Sequence, residues 1–511
     1  MPVLPLAIQQ DLRHFEVIEG ESQRDEEAVV LRDEHGRVRL EDSPLAEFLA
    51  SEMWDRFRYA SALGWLRYDG KRWREVSNDR VTKEILRRFR RLYTTESKNM
   101  DSDRAKKLAP LLTSGKIRGV QSLLRGLVEQ DAADFDAQPH LLNCQNGVVD
   151  LRTGRLGPHD PDLLFTQIAT VPYVQGATHP DWEAALQALP DEDTRRWVQL
   201  KFGQATTGLP TPDDVLPVLY GGGQNGKSSI TCVMYALGGF AKVVPEKLLT
   251  ARANEHSTEL TELKGARLAL LEELPEKTLN IGRLKSTLGT PRLTARRIMK
   301  DNMSWDATHS LVLTTNHPPR VSESDFGTWR RLALVTFPFR FRVGTDDIER
   351  ENDRRGSEGL RERLKDGEEQ RIAMLAWLVA GAVAVYDGGE QQHLPKPPGR
   401  VRADTEAWRG ESDLTLRFVN ERLEFDPGAC VLATELYEEF VEFTESSGQR
   451  VPASNTFSKN FETHEVVVDA GVTKERARVR GDLSRRRRTR NSEDPKNKVS
   501  LWLGVRFRDH L

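Results

Sequence analysis

At 511 residues the chain is too long for one ordinary core, so two to four domains are expected. With 38% hydrophobic and 30% charged residues and a net charge of −3, the composition excludes a membrane protein and a wholly disordered one. Three cysteines, Cys144, Cys232 and Cys430, stand far apart without a Cys or His partner at zinc spacing, which excludes a disulfide framework and leaves reduced structural thiols.

Residues 1–46 are acid-rich with little apolar periodicity and read as a segment with partial disorder. Asp11, Glu16, Glu19 and Glu21 arrive too early for a secretory signal, so a cytoplasmic protein, in the host cell if phage-encoded, is expected. Residues 47–200 form an expected N-terminal α+β and helical domain. In it, Phe48 to Trp73 interleaves aromatic and polar residues around the Asp69-Gly70 turn, the pattern of a hairpin. Thr82 to Tyr93 places Ile85, Leu86, Phe89 and Leu92 at helical spacing, surrounded by Lys83, Arg87, Arg88, Arg90 and Arg91. That basic face reads as solvated surface in preference to a DNA contact. Asp134-Phe135-Asp136 reads as loop, and Leu141 to Pro161 as two short strands joined by Arg152-Thr153-Gly154.

Over 201–345 strands and helices alternate, as in a sheet with helices packed on it. Ile372 to Tyr386 is apolar but shorter than the roughly 20 residues that cross a bilayer, and reads as a buried helix. It belongs to a helical segment and linker over 346–410, whose glycines and prolines cluster between Gly388 and Gly399. In 411–511, helices are expected at Asp413 to Glu424, Thr434 to Ser446 and Thr456 to His464, with a strand at Val499 to Phe507. Three helices and a terminal hairpin suggest a winged helix. The arginine run Arg485, Arg486, Arg487 and Arg488 within it suits phosphate contacts.

The strongest chemical signal is Gly221-Gly222-Gly223-Gln224-Asn225-Gly226-Lys227-Ser228-Ser229 after the apolar run Val215 to Tyr220. Strand, glycine loop and helix in that order converge backbone N–H groups on a triphosphate. Lys227 then reaches the β- and γ-phosphates and Ser228 holds magnesium. Arg267 to Glu273 is an apolar strand ending in two carboxylates, 45 residues beyond the lysine at its first glutamate. Glu272 and Glu273 divide two tasks, ordering Mg2+ (Glu272 with Ser228) and polarising the attacking water, and strand alternation points them apart. Which of them is the base stays open. His309 to Thr315 is a second strand that delivers Asn316, an amide suited to holding the lytic water. Arg330 and Arg331 precede a third strand, and either is a candidate arginine finger for a neighbouring subunit.

This order of motifs resembles the phage and plasmid primase family whose C-terminal half is a superfamily 3 helicase, a branch of the AAA+ ATPases. The residues that carry the resemblance are Asn146 to Leu151 with Gly154, the Gly-Gln-Asn-Gly-Lys-Ser loop, Arg267 to Glu273, Leu284 to Gly289 with Leu293 to Arg296, and Leu313 to Pro318. The resemblance implies a multidomain α/β chain with an AAA+ core, a homo-hexameric ring, ATP and Mg2+ as cofactors, and single-stranded and forked DNA as partners. It also implies a pore hairpin with Lys300 near its tip, supported by Arg296 and Arg297, and assigns Glu273 to the most typical Walker B acid. The expected function is an ATP-dependent helicase of phage or plasmid replication, served by a separate primase or initiator. The alternative is a replication initiator or loader that uses ATP as an assembly switch.

Overall fold

The computed structural model describes residues 39–98, 106, 108–251, 258–274, 278–296, 302–321, 326–344, 350–446, 451–477 and 499–508. The expected disordered segment lies outside these up to residue 38. Its end does not: helix α1, Asp42–Met53, begins inside the acid-rich stretch and buries Leu45, Ala46 and Leu49. Three apolar side chains at this spacing make one face, which closes on helix α3, Ser114–Leu127.

The expected hairpin is a three-stranded antiparallel meander, β1 (Phe57–Ala60), β2 (Gly64–Tyr68) and β3 (Trp73–Val76). The basic helix is α2, Asn78–Ser97, started by a Ser77 side chain that accepts from the Arg80 N–H. Its apolar residues Val81, Ile85 and Phe89 are fully buried. Asp136 is structural, as its loop reading expected: its carboxylate accepts from the backbone N–H of Thr166 at 2.8 Å and of Gln167 at 3.3 Å. Residues 141–157 hold three strands where two were expected, β4 (Leu141–Cys144), β5 (Gly147–Asp150) and β6 (Arg155–Gly157). The extra turn is at Gln145-Asn146, where the Asn146 side chain donates to the Tyr173 carbonyl and accepts from its N–H.

Helices α4 (Pro180–Leu186) and α5 (Glu192–Gln204) lead to a five-stranded parallel sheet. Its strands are β7 (Leu216–Tyr220), β8 (Ala241–Val244), β9 (Leu268–Leu271), β12 (Ser310–Thr315) and β13 (Leu332–Thr336), in the order β13-β7-β12-β9-β8. Four of them are buried throughout or nearly so, as a sheet covered on both faces requires. An antiparallel pair, β10 (Arg292–Arg296) and β11 (Asn302–Asp306), projects between β9 and β12 in sequence. A further small pair, β14 (Arg340–Arg342) and β15 (Asp353–Arg355), follows β13.

The buried helix is α6, Glu368–Tyr386, packed on α5 so closely that a Cβ on Gly381 would meet the Gln199 carbonyl oxygen. Among the described residues no helix is long and apolar enough to cross a membrane. The stretch expected as a linker is tied down: His393 N–H donates to Val385 O at 2.8 Å, Trp197 Nε1 to Pro395 O at 3.3 Å, and Gln392 Nε2 to Thr207 Oγ1 at 2.9 Å. Beyond it, helix α7, Gly399–Ser412, lies against β13. Thr405 Oγ1 there accepts from Leu334 N–H at 2.9 Å, and Trp408 meets Trp329 edge to face at 5.1 Å. The expected boundary at 200/201 falls inside α5, and the expected boundary at 410/411 falls inside α7.

The C-terminal region holds helices α8 (Leu414–Arg422), α9 (Ala433–Ser446) and α10 (Ser454–Thr463), close to expectation. Strand β16, Leu423–Leu432, runs between the first two and was not foreseen, because Asp426-Pro427-Gly428 reads as a turn. The strand passes it with a register shift between Phe425 and Cys430. With β17 (Thr473–Ala477) and β18 (Val499–Phe507) it forms an antiparallel sheet ordered β16-β18-β17. Stacked and edge-on phenylalanines, Phe418, Phe440, Phe457 and Phe461, fill the core beneath it.

Candidate functional site

Strand β7 ends at Tyr220 and the chain turns into the glycine loop at the carboxyl edge of the sheet. Gln224 and Gly226 both adopt left-handed backbone, φ +61° and +85°. At Gly226 a side chain is excluded twice, by φ and by the Ala188 Cβ that an added Cβ would meet at 2.5 Å. Gly222 and Gly223 face open space. The far side of the loop is pinned by Phe341, whose N–H donates to Gln224 O at 2.8 Å.

A single helix was expected after the loop. The chain instead forms two short helical pieces, Lys227–Ile230 and Val233–Leu237. The hydroxyl of Thr231 donates to Ser228 O at 3.3 Å and Cys232 N–H bonds back only three residues, to Ser229 O, so side-chain and tightened bonds interrupt the ladder.

Gly222 to Ser229, Glu273, Thr314, Thr315 and Asn316 line one cleft of about 330 Å³. The Lys227 ammonium is held in its wall: Nζ donates to the carbonyl of Gly221, to Gly222 O at 3.3 Å, to Asn225 Oδ1 at 3.3 Å and to Asn316 Oδ1 at 3.0 Å. Burial pushes its pKa down to about 8, while the field of Glu273 works in the opposite direction. Strand β9 stops at Leu271, before both glutamates, so the expected alternation does not continue into them. Glu273 instead turns through left-handed backbone, φ +52°, and lines the cleft. Such a conformation costs a non-glycine residue about 1–3 kcal/mol and recurs at functional sites. Glu272 is exposed beside it, close enough to raise the pKa of Cys232, a lesser effect than the burial that pushes that thiol up to about 11.

Asn316 is delivered by β12, and Thr315 behind it fixes the turn by accepting from His317 N–H at 3.2 Å and donating to Leu274 O at 3.2 Å. Arg330 and Arg331 stand at the opposite edge. Strands β7 and β13 are parallel with Leu332 opposite Leu216, so the arginines sit where β7 begins and the loop sits where it ends. Five residues of strand, about 16 Å, separate the two levels. Arg331 is folded inward, donating to Gly327 O at 2.6 Å and pairing with Asp214 at 3.5 Å; Arg330 is exposed. Arg296 ends β10, while Arg297 and Lys300 lie outside the described residues, as do Arg485 to Arg488. The strands that carry the expected pore hairpin are present and in register, from Arg292 opposite Asp306 to Arg296 opposite Asn302.

Sequence reasoning missed the buried polar residues at the opposite edge. Arg267, fully buried, donates to Thr206 O at 2.9 Å and Gln138 O at 3.2 Å, and lies 4.6 Å over the Phe240 ring. Lys201 Nζ bonds Asp213 at 2.8 Å and Thr211 at 2.9 Å. His309 Nε2 lies 3.2 Å from Thr287 O, and burial drives its pKa down to about 4. Charged residues scattered over a hundred positions carry no local pattern that would have marked them. Among the described residues no cluster of His, Cys, Asp and Glu is arranged for a metal.

A parallel sheet with a glycine loop at its carboxyl edge, a lysine in the loop and an acid and an amide following neighbouring strands is consistent with a phosphate-binding-loop core. Residues 46–190 match the family described as D5 N terminal like, and residues 219–331 match a family of unknown function, DUF5906. A primase-named protein of African swine fever virus is 27% identical over 314 residues, 58% of this chain and 32% of that protein. A helicase-named protein of Frog virus 3 is 29% identical over 282 residues, covering 50% of this chain and 27% of that protein. The chain therefore spans about a third or less of the length of these relatives. A solved structure titled as the apo C-terminal region of NrS-1 covers 90% of this chain and 98% of its own, at 10% identity and a TM-score of 0.45. The two family matches and the primase- and helicase-named viral relatives together support the resemblance to a phage-type primase–helicase family.

Proposed function

We propose that the chain is an ATP-hydrolysing superfamily 3 helicase of DNA replication, working as a homo-hexameric ring on single-stranded DNA. The observation that carries this reading is the split of the site between two edges of one sheet. Lys227, Glu273 and Asn316 meet at the carboxyl edge, while Arg330 is exposed about 16 Å away at the other. An exposed arginine placed there reaches a nucleotide only across a subunit boundary, as a ring requires.

The residues present fit a nucleoside triphosphate with magnesium. Asn225 Nδ2 is buried without a hydrogen-bond partner, and Gly226 keeps the cradle free of a side chain. The loop N–H groups and Lys227 would hold the phosphates, and Ser228 with a carboxylate of the Glu272/Glu273 pair would hold Mg2+, whose charge offsets that of the phosphates. Lys227 exchanges its loop carbonyls for phosphate oxygens. Glu273, beside Asn316, accepts the proton of the attacking water, which the Asn316 amide orients. Arg330 of a neighbouring subunit neutralises charge in the transition state. Lys300, in the connection between β10 and β11, grips the strand in the channel. Among the described residues of 414–507 the order is helix, strand, three helices of which the last, Glu465–Asp469, is short, and two strands, which supports a winged-helix domain, with Arg485 to Arg488 contacting DNA phosphates.

The test is strand displacement on a forked duplex with ATP and Mg2+, alongside nucleotide turnover. Lys227→Ala should lose both, and Lys300→Ala unwinding alone. DNA-stimulated turnover without displacement by the intact protein would favour the initiator or loader reading.

A further inference from the structure

Away from the sheet, in the N-terminal domain, a concave cleft of about 510 Å³ lies between the first hairpin and helix α2. Arg56 and Arg67 line it from the strand side, and Arg80, Lys83, Arg87 and Arg90 from the helix side. The four helix residues follow at spacings of three, four and three, so one face of α2 carries all of them. Ile85 and Phe89, on the opposite face, are buried and lock that orientation.

Among the described residues of the lining Glu84 is the only carboxylate, and it is already shared by Arg87 at 2.7 Å and Arg88 at 3.5 Å. Among the described residues Arg56, Arg67, Arg80, Lys83 and Arg90 make no ion pair. A solvated face normally intersperses both signs; a concavity whose described lining has six cations and one carboxylate repels itself and concentrates anions. Five of the six cations are guanidinium groups, whose planar forks match phosphate oxygens two at a time. The apolar lining, Phe57 and Leu86, is buried or half-buried beneath the cations, so no ring is presented for base stacking. Such a lining suits a phosphodiester backbone better than bases.

We infer that this cleft is a second nucleic-acid site, separate from the nucleotide cleft, which holds the backbone of a single strand. A duplex is too wide to enter a concavity of this size, whereas one strand brings successive phosphates against the Arg80–Lys83–Arg87–Arg90 row. The site goes beyond the motor reading and does not depend on it, because it needs neither nucleotide nor hairpin.

The test is binding of a fluorescent oligothymidylate to the full chain without nucleotide, over a series of salt concentrations. Replacing three cations by Ala in R80A/K83A/R90A should make the log–log salt dependence shallower by about 2, at roughly 0.7 per phosphate contact, and weaken binding at physiological salt. Turnover of ATP without DNA should stay unchanged, reporting an intact fold. Glu84→Gln, which removes that carboxylate from the cleft, should strengthen binding. An unchanged slope in the triple variant overturns the inference, as does a duplex that is held more tightly than the single strand through the same residues.

Discussion

The two edges of the parallel sheet are built from similar residue types to opposite ends. At the amino edge, Lys201, Arg267, His309, Arg331 and Asp213 are bonded to fixed partners, and most are buried. At the carboxyl edge Lys227 also shares its three N–H donors among four acceptors, but these are carbonyl and amide oxygens of the glycine loop and Asn316 around an open cleft, at the cost of a depressed pKa. The first arrangement joins the N-terminal region to the sheet. The second keeps a cation where an anion is a better partner than those it has. A buried charge is structural when its partners are complete and functional when they are replaceable.

Substitutions can break this contrast, and the largest effect is expected at the carboxyl edge. Lys227→Ala should bring nucleotide turnover to background, a loss of about 10³-fold or more, while the melting temperature holds. Arg330→Ala should lower turnover by about 10³-fold with nucleotide affinity retained. Mixing it with Lys227→Ala protein should restore part of the activity, since each supplies what the other lacks across a boundary; no recovery would place Arg330 outside the site. Arg331→Ala, by contrast, should act first on stability, because its guanidinium belongs to Gly327 and Asp214.

At the amino edge, Arg267→Ala strands two buried carbonyls, of Thr206 and Gln138, and should destabilise the protein by about 2–5 kcal/mol in denaturant unfolding. Two pH effects sharpen the contrast further. His309 has a folded pKa of about 4, below its unfolded value, so the unfolded chain binds the proton first. Stability should then decline as pH falls from about 6.5 toward 4, and His309→Gln should flatten that decline in a melting series. Lys227 is half deprotonated near pH 8. Phosphate restores its charge, so nucleotide binding should take up a proton and weaken as pH rises past about 8, measurable by calorimetry in buffers of different ionisation heat.

Local signals served some elements well. Helix α2 was legible because Ile85 and Phe89 repeat at helical spacing, and the glycine loop because Gly226 admits no other residue. The boundaries expected near residues 200 and 410 fall inside helices whose burial depends on distant partners, α5 on α6 and α7 on β13. Strand β16 was hidden by Asp426-Pro427-Gly428, a turn sequence that pairing with β18 overrides.

The sequence by itself determined the phosphate loop, the order in which Glu272, Glu273 and Asn316 follow their strands, and the resemblance of the chain to its family, because each rests on residues adjacent in the chain. Only the tertiary structure decided which glutamate faces Lys227, which arginine is bound inward, and that six basic residues share one cleft. The reason is physical: a strand end and a helix face have directions that the packing of other elements sets, and no local pattern encodes a partner on a separate element.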